Sequence, residues 1–292
     1  MMWRWWCGAR VTVLLMIGFP LPAAASSLLP LVTEEAQTLP SGTAEAILGA
    51  TYLNDSRFPG FTPPAALRSQ TVVQGPQLRL QMGAGSWAEI QASYETIYLD
   101  ERAANGQTNW QFGSGDMRIG SKFWLKRETE HLPALGLRLF TKLPNANRSA
   151  RLGTDDTDFT GDALVSKNFG PFVAHVNLGI TLFGNSGPTI GHSFKAGGQD
   201  DLFDYNVALV SAPLGKPIAG ATALRIMGEL TGFTGSHYDN ERSALRVGIQ
   251  LQRGPTTVYL GTSVGLITGS EDFGVNGGVV YRFEAAQSLK DE

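Results

Sequence analysis

Long apolar runs are missing from this chain. Beyond residue 25 no stretch reaches the roughly 18 apolar residues that a membrane-crossing helix needs. The nearest, Phe169 to Gly184, is interrupted by Pro171, His175 and Asn177. Charge is also scarce, at 17% of residues, against about a quarter in ordinary soluble domains. Cysteine is nearly absent. The one copy, Cys7, lies in the first 25 residues, so disulfide, thiolate-metal and cysteine-nucleophile chemistry are excluded from the rest. No basic block occurs, and nucleic acid is excluded as a partner. No histidine pair at metal spacing, phosphate-cradling glycine loop or dinucleotide fingerprint is found. Neither a metal nor a cofactor is therefore expected.

What is present is export, alternation and glycine. Arg4 and Arg10, the apolar run Val11 to Phe19 and the small residues Ala23-Ala24-Ala25 make residues 1–25 a secretory signal peptide. Residues 26–43 are polar and contain proline, and are expected to form a periplasmic N-terminal arm. From Ala44 onward, apolar and polar residues alternate in segments of strand length. Leu78, Leu80 and Met82 oppose Gln77, Arg79 and Gln81. Ile90, Ala92 and Tyr94 oppose Glu89, Gln91 and Glu95. Leu245, Val247 and Ile249 oppose Arg246, Gly248 and Gln250. About 12 such segments occupy residues 44–283, with the expected count and lengths of a membrane barrel. Polar connections at Asp100–Ser114, Asn145–Thr157, Asn185–Gln199 and Gly235–Glu241 alternate with shorter turns. This parity puts both chain ends in the periplasm. The expected fold is an all-β, antiparallel, up-and-down transmembrane barrel closed by its first and last strands, in the bacterial outer membrane.

The last strand carries a further signal. Val279, Tyr281 and Phe283 face one way, and Asn276, Gly278 and Arg282 the other. Asn276, Gly278, Tyr281 and Phe283 resemble the C-terminal assembly signal of outer-membrane barrels. That resemblance implies outer-membrane lipid and the barrel-assembly machinery as partners during insertion. Residues 284–292 form a tail that most barrels with this signal lack.

Other stretches resemble one family. Leu31-Val32-Thr33-Glu34-Glu35-Ala36 with Gly42, then Lys142-Leu143-Pro144, Gly153-Thr154-Asp155-Asp156-Thr157-Asp158-Phe159 and Gly170 to Gly179 are similar to the phenol-degradation meta-pathway family of bacterial outer-membrane β-barrel proteins. The resemblance implies a transporter-like channel associated with aromatic catabolism; enzymatic activity is not expected.

The inward faces are where chemistry is sought. They place Arg79, Glu89, Glu95, Arg118, Lys122, Arg138, Asp162, His175, Asp204, Arg225, Glu229, Arg246 and Arg282 in the lumen. These residues either line a path for a small-molecule solute or fill the barrel with ion pairs. Glu229 is expected to pair with Arg225 and Arg246. His131, His192 and His237 fall in connections. Only His175 faces inward on a strand, near Ser166 and Asn177. A lipid-modifying serine–histidine site is conceivable there, but the side chains point away from lipid, and no catalytic residue is assigned. A plugged structural or adhesive barrel is the other alternative.

Overall fold

A strand that meets lipid on one face and water on the other must alternate along its whole length. The computed structural model shows this alternation in most of the barrel strands. It describes residues 31–55, 67–146, 150, 152–153, 156–184, 201–214, 221–234 and 241–284. Residues 1–25, expected as a signal peptide, and the tail beyond Glu284 lie outside the described residues. Among the described residues there are thirteen strands: β1 (Thr43–Asn54), β2 (Leu67–Gly83), β3 (Ala88–Ala103), β4 (Thr108–Ser114), β5 (Met117–Lys126), β6 (Ala134–Leu143), β7 (Asp158–Asn168), β8 (Phe172–Leu182), β9 (Leu202–Ser211), β10 (Ala223–Thr234), β11 (Arg242–Arg253), β12 (Thr256–Gly265) and β13 (Phe273–Glu284). All pairings are antiparallel, and each strand pairs with its sequence neighbours except at β3 to β5. β13 returns to pair with β1 from Thr43↔Glu284 to Asn54↔Phe273, which closes the barrel and pairs the edges of its first and last strands. The result is a closed twelve-stranded barrel with one extra strand.

The extra strand corrects the polar connection expected at Asp100–Ser114. The upper half of β3 pairs with β4, and its lower half with β5. Thr108 to Ser114 alternates over only seven residues, too few to stand out from a loop. Its aromatics nevertheless take strand positions, with Phe112 opposite Tyr98 and Trp110 opposite Asp100. β12 ends at Gly265, whose N–H donates to the Glu271 carbonyl.

Solvent accessibility is inverted relative to a water-soluble protein. Leu48, Leu80, Ile90, Leu139, Leu178, Leu209, Ile249, Leu260 and Val279 are exposed around the outside. Glu45, Gln81, Gln91, Asp162, His175, Gln250 and Asn276 are buried inside. A continuous apolar belt of this kind requires lipid around it. No helix among the described residues is long and apolar enough to cross a membrane; the crossing is made by strands. Aromatic pairs mark both rims. Trp87–Phe123, Phe169–Phe172 and Tyr281–Phe283 sit at the end carrying Thr43 and Glu284 (the terminal end), with ring centroids 5.7, 5.3 and 4.7 Å apart. Tyr52–Phe273 and Tyr98–Trp110 sit toward the opposite, loop end, at 5.7 and 6.4 Å. Connections at the terminal end are mostly short. One of them, between β7 and β8, turns on Gly170, whose φ of 87° suits only a residue without a side chain.

The closing seam is locked by charge and by shape. Arg282 on β13 donates to Glu45 on β1 from Nε at 2.9 Å and Nη2 at 2.6 Å. Gly49 and Gly278 lie opposite each other across the seam. A Cβ at either would collide with the Tyr259 hydroxyl. The two glycines therefore make a trough in which the Tyr259 ring lies over the seam, a known use of glycine in curved sheets.

Candidate functional site

A periplasmic arm is the expectation for residues 26–43. Of these, residues 31–42 instead pack inside the barrel, against strands on many sides. Glycine makes the room. A Cβ at Gly136 would strike Ala36, one at Gly83 would strike Leu39 and Pro40, and one at Gly248 or Gly261 would strike Leu31. Glycine inside a strand commonly marks a close backbone approach.

Inward polar side chains satisfy the segment's backbone. Glu229 on β10 accepts N–H bonds from Leu31, Val32 and Thr33, and the Thr33 hydroxyl at 3.2 Å. Asn177 on β8 grips Glu34 at both ends: its Oδ1 accepts the N–H at 2.7 Å and its Nδ2 donates to the carbonyl at 2.8 Å. Ser166 on β7 accepts Ala36 N–H at 2.9 Å, and Glu89 on β3 accepts Leu39 N–H at 2.8 Å. An extended segment with no sheet partners thus has seven backbone groups paired by side chains of the wall, as burial favours. The segment then turns at Gly42 into β1, with Thr43 N–H bonded to the Pro40 carbonyl.

Glu34 is the electrostatic centre. Its side chain is 1% exposed and meets Arg79 at 2.6 Å, Arg138 at 3.1 Å and Lys122 at 3.7 Å. Lys122 also meets Glu89 at 3.4 Å, and Arg138 meets Asp162 at 2.6 Å. Burial alone would raise the Glu34 pKa. Arg79, Arg138 and Lys122 outweigh it and hold the group down at about 2. Glu35, next along, forms no ion pair among the described residues. Burial pushes it up to about 8; Lys122 opposes the rise, while Glu45, Glu89 and Glu34 add to it.

These two shifts set a pH dependence. A carboxyl raised from 4.5 to about 8 favours the docked segment fully below pH 4.5 and loses that contribution as pH climbs to 8. Glu34 acts in the opposite sense, and its contribution is lost only as pH falls from 4.5 toward 2. Docking therefore weakens as pH rises from 4.5 to 8. A spin label at Val32→Cys, in a chain whose single native cysteine lies at position 7, should grow more mobile over that window. With Glu35→Gln added, the mobility should become flat. A wild-type profile already flat would overturn the assignment.

The segment divides the lumen. On the loop-end side lies a cavity of about 400 Å³, with Val32 in its lining. The β6–β7 connection reaches over it. Ala146 N–H bonds to Asp116 at 3.0 Å, and Asn145 Oδ1 accepts Met117 N–H at 2.6 Å. Leu152 is buried in an apolar cluster with Leu53, Val72, Ile97 and Leu99. Of the residues expected to line the lumen, Arg79, Glu95, Arg118, Arg138, Asp162 and Asp204 do line this cavity. Asp116, Lys142 and Asp158 join them, with Lys142 at 3.3 Å from Asp116 and 2.5 Å from Asp158. Aromatic rings share the wall: Phe140, Phe183 and Phe233.

The remaining expected residues hold the structure together. Glu89, Lys122 and Glu229 anchor the segment, and Arg282 the seam. The expected pairing of Glu229 with Arg225 and Arg246 is not formed, because the three backbone N–H groups occupy Glu229. Arg246 turns instead to Thr231 at 3.1 Å and Glu271 at 3.4 Å, and Arg225 to Gln252 at 3.4 Å. Glu271 lies in the β12–β13 connection and was not foreseen. It also takes Arg242 at 2.8 Å and the Ser263 hydroxyl at 2.8 Å. Despite burial, Arg242, these hydrogen bonds and Arg246 lower its pKa. Ser166 Oγ lies 2.8 Å from His175 Nδ1. Both residues are buried, and Ala36 and Glu34 occupy Ser166 and Asn177, so the trio faces the segment and not lipid. Glu34 was missed; the inward glycines were the only sign in the sequence that backbone approaches the wall closely, and they do not say which segment does so.

No protein-family model matches the chain, and no curated protein matches it in sequence. Solved structures do. The COG4313 outer membrane channel from Pseudomonas putida F1 superposes with a TM-score of 0.61 at 16% identity, over 85% of this chain and 98% of the other. The β domain of the Bordetella autotransporter BrkA gives 0.51 at 11% identity, over 82% and 100%. The translocator domain of the autotransporter NalP from Neisseria meningitidis gives 0.50 at 10%, over 85% and 91%. At these identities the likeness is one of fold. With its closed wall and lipid-facing belt, the chain is a twelve-stranded β-barrel of the bacterial outer membrane.

Proposed function

We propose that this barrel is a channel or transporter that admits small solutes across the outer membrane, with its N-terminal segment as the internal barrier. The observation that carries the reading is the cavity of about 400 Å³ above that segment, walled by charge on one part and by Phe140, Phe183 and Phe233 on another. Such a mixed wall suits a solute with an apolar or aromatic body and a polar group. The name of the Pseudomonas putida neighbour, an outer membrane channel, and the resemblance of Leu31 to Ala36 and Gly170 to Gly179 to the phenol-degradation meta-pathway family support the same reading. On this reading the protein is not an enzyme, the terminal end faces the periplasm, and the strand-facing partner is outer-membrane lipid.

Purified protein in planar bilayers should pass a small current, and proteoliposomes should swell with small aromatic solutes faster than with sugars of equal size. Neither current nor swelling would overturn the channel and favour a plugged structural barrel. That second reading has its own support in the buried ion cluster that fixes the segment.

A further inference from the structure

The cavity wall holds two carboxylates that converge on one point. Asp162 on β7, Gly179 on β8 and Asp204 on β9 stand in one row across three strands. A Cβ at Gly179 would collide with Asp162 Oδ1 and Asp204 Oδ2 together. Both oxygens therefore close on the space above the glycine, and both residues line the cavity. Asp162 Oδ2 is taken by Arg138. Asp162 Oδ1 is buried and has no hydrogen-bond partner, in a residue that is 0% exposed. Asp204 makes no ion pair among the described residues.

The local charge does not balance. Glu34, Asp162 and Asp204 face Arg79 and Arg138, which leaves one negative charge over. Lys122 does not supply the missing cation, since it is shared between Glu34 and Glu89. Like charges this close in the wall are relieved either by a proton on one of them or by a positive group between them.

We propose that Asp162 and Asp204 form a binding site for a primary ammonium group carried on a small aromatic body. The ammonium has three donors and no acceptor. It gives one donor to Asp162 Oδ1 and one to Asp204, over Gly179, where no side chain blocks it. The aromatic body lies against Phe140, Phe183 and Phe233 in the same cavity. This inference names a solute class for the channel reading and rests on it, but binding is measured apart from flow.

Titration calorimetry of the full chain in detergent with 2-phenylethylamine, 2-phenylethanol and phenylacetate tests the site. The three differ in one group: cation, neutral, anion. Saturable heat is expected with the amine alone. Asp204→Asn should weaken amine binding at least about tenfold, on the scale of one charged hydrogen bond. Gly179→Ala should abolish it. Because Asp204 holds no ion pair, Asp204→Asn should keep its heat-dependent shift on a denaturing gel, which checks folding. Equal affinity for amine and alcohol, unchanged amine affinity in Asp204→Asn, or heat from magnesium chloride in place of the amine would each overturn the ammonium site. Binding without current in bilayers would overturn the channel and leave the site. Current without amine binding would do the reverse.

Discussion

Removing residues 31–42 should raise single-channel conductance by about tenfold or more, as expected when a barrel of twelve strands loses its internal filling. The segment packs against β2, β3, β5 to β8, β10, β11 and β12 through the contacts at Gly83, Glu89, Lys122, Gly136, Ser166, Asn177, Glu229, Gly248 and Gly261. Its removal turns anchors into free polar lining, which hydrates. The barrel should survive, because its wall depends on strand pairing and the Arg282–Glu45 seam, which the deletion leaves intact. A second variant avoids the deletion: Asn177→Ala with Glu229→Ala removes the two side chains that hold the segment's backbone at five N–H or C=O groups. It should give intermittent openings of the same size. Conductance equal to the parent in both variants, with a normal heat-dependent gel shift, would show that the segment is not the barrier.

Glu34→Gln should destabilise the docked segment by about 3 kcal/mol, the lower end for removing one partner of a buried ion pair. The lower end applies because Lys122 keeps Glu89 and Arg138 keeps Asp162, so only Arg79 loses its carboxylate outright. The mobility of the Val32→Cys label should rise sharply, and the denaturant midpoint of the segment transition should fall. Glu128→Gln supplies the contrast. Glu128 pairs with Lys167 at 3.2 Å near the terminal rim, where both side chains keep partial exposure. Pairs of that kind contribute less than about 1 kcal/mol. Equal effects at Glu34 and Glu128 would mean that the buried cluster does not hold the segment.

The barrel was legible in the chain because lipid imposes a rule that acts residue by residue. Leu78, Leu80 and Met82 face out, and Gln77, Arg79 and Gln81 face in, whatever the neighbouring strands do. The closing role of Asn276 to Phe283 was legible for the same reason. β4 was not, since seven residues with two aromatics do not separate a strand from a loop without the partner Tyr98 beside them. The site was half legible. Inward residues such as Arg138, Asp162 and Asp204 follow from strand parity.

What they bind follows from contacts between residues far apart in sequence. Leu31 to Ala36 carries no period of its own, because an extended segment without a sheet partner has no face to alternate. Its conformation is set by Glu229, Asn177 and Ser166, more than a hundred positions away. The sequence by itself determined the wall, since each side chain there answers to lipid or to water. Only the tertiary structure decided what occupies the lumen, because that depends on which inward carboxylate, base and glycine the closed barrel brings face to face.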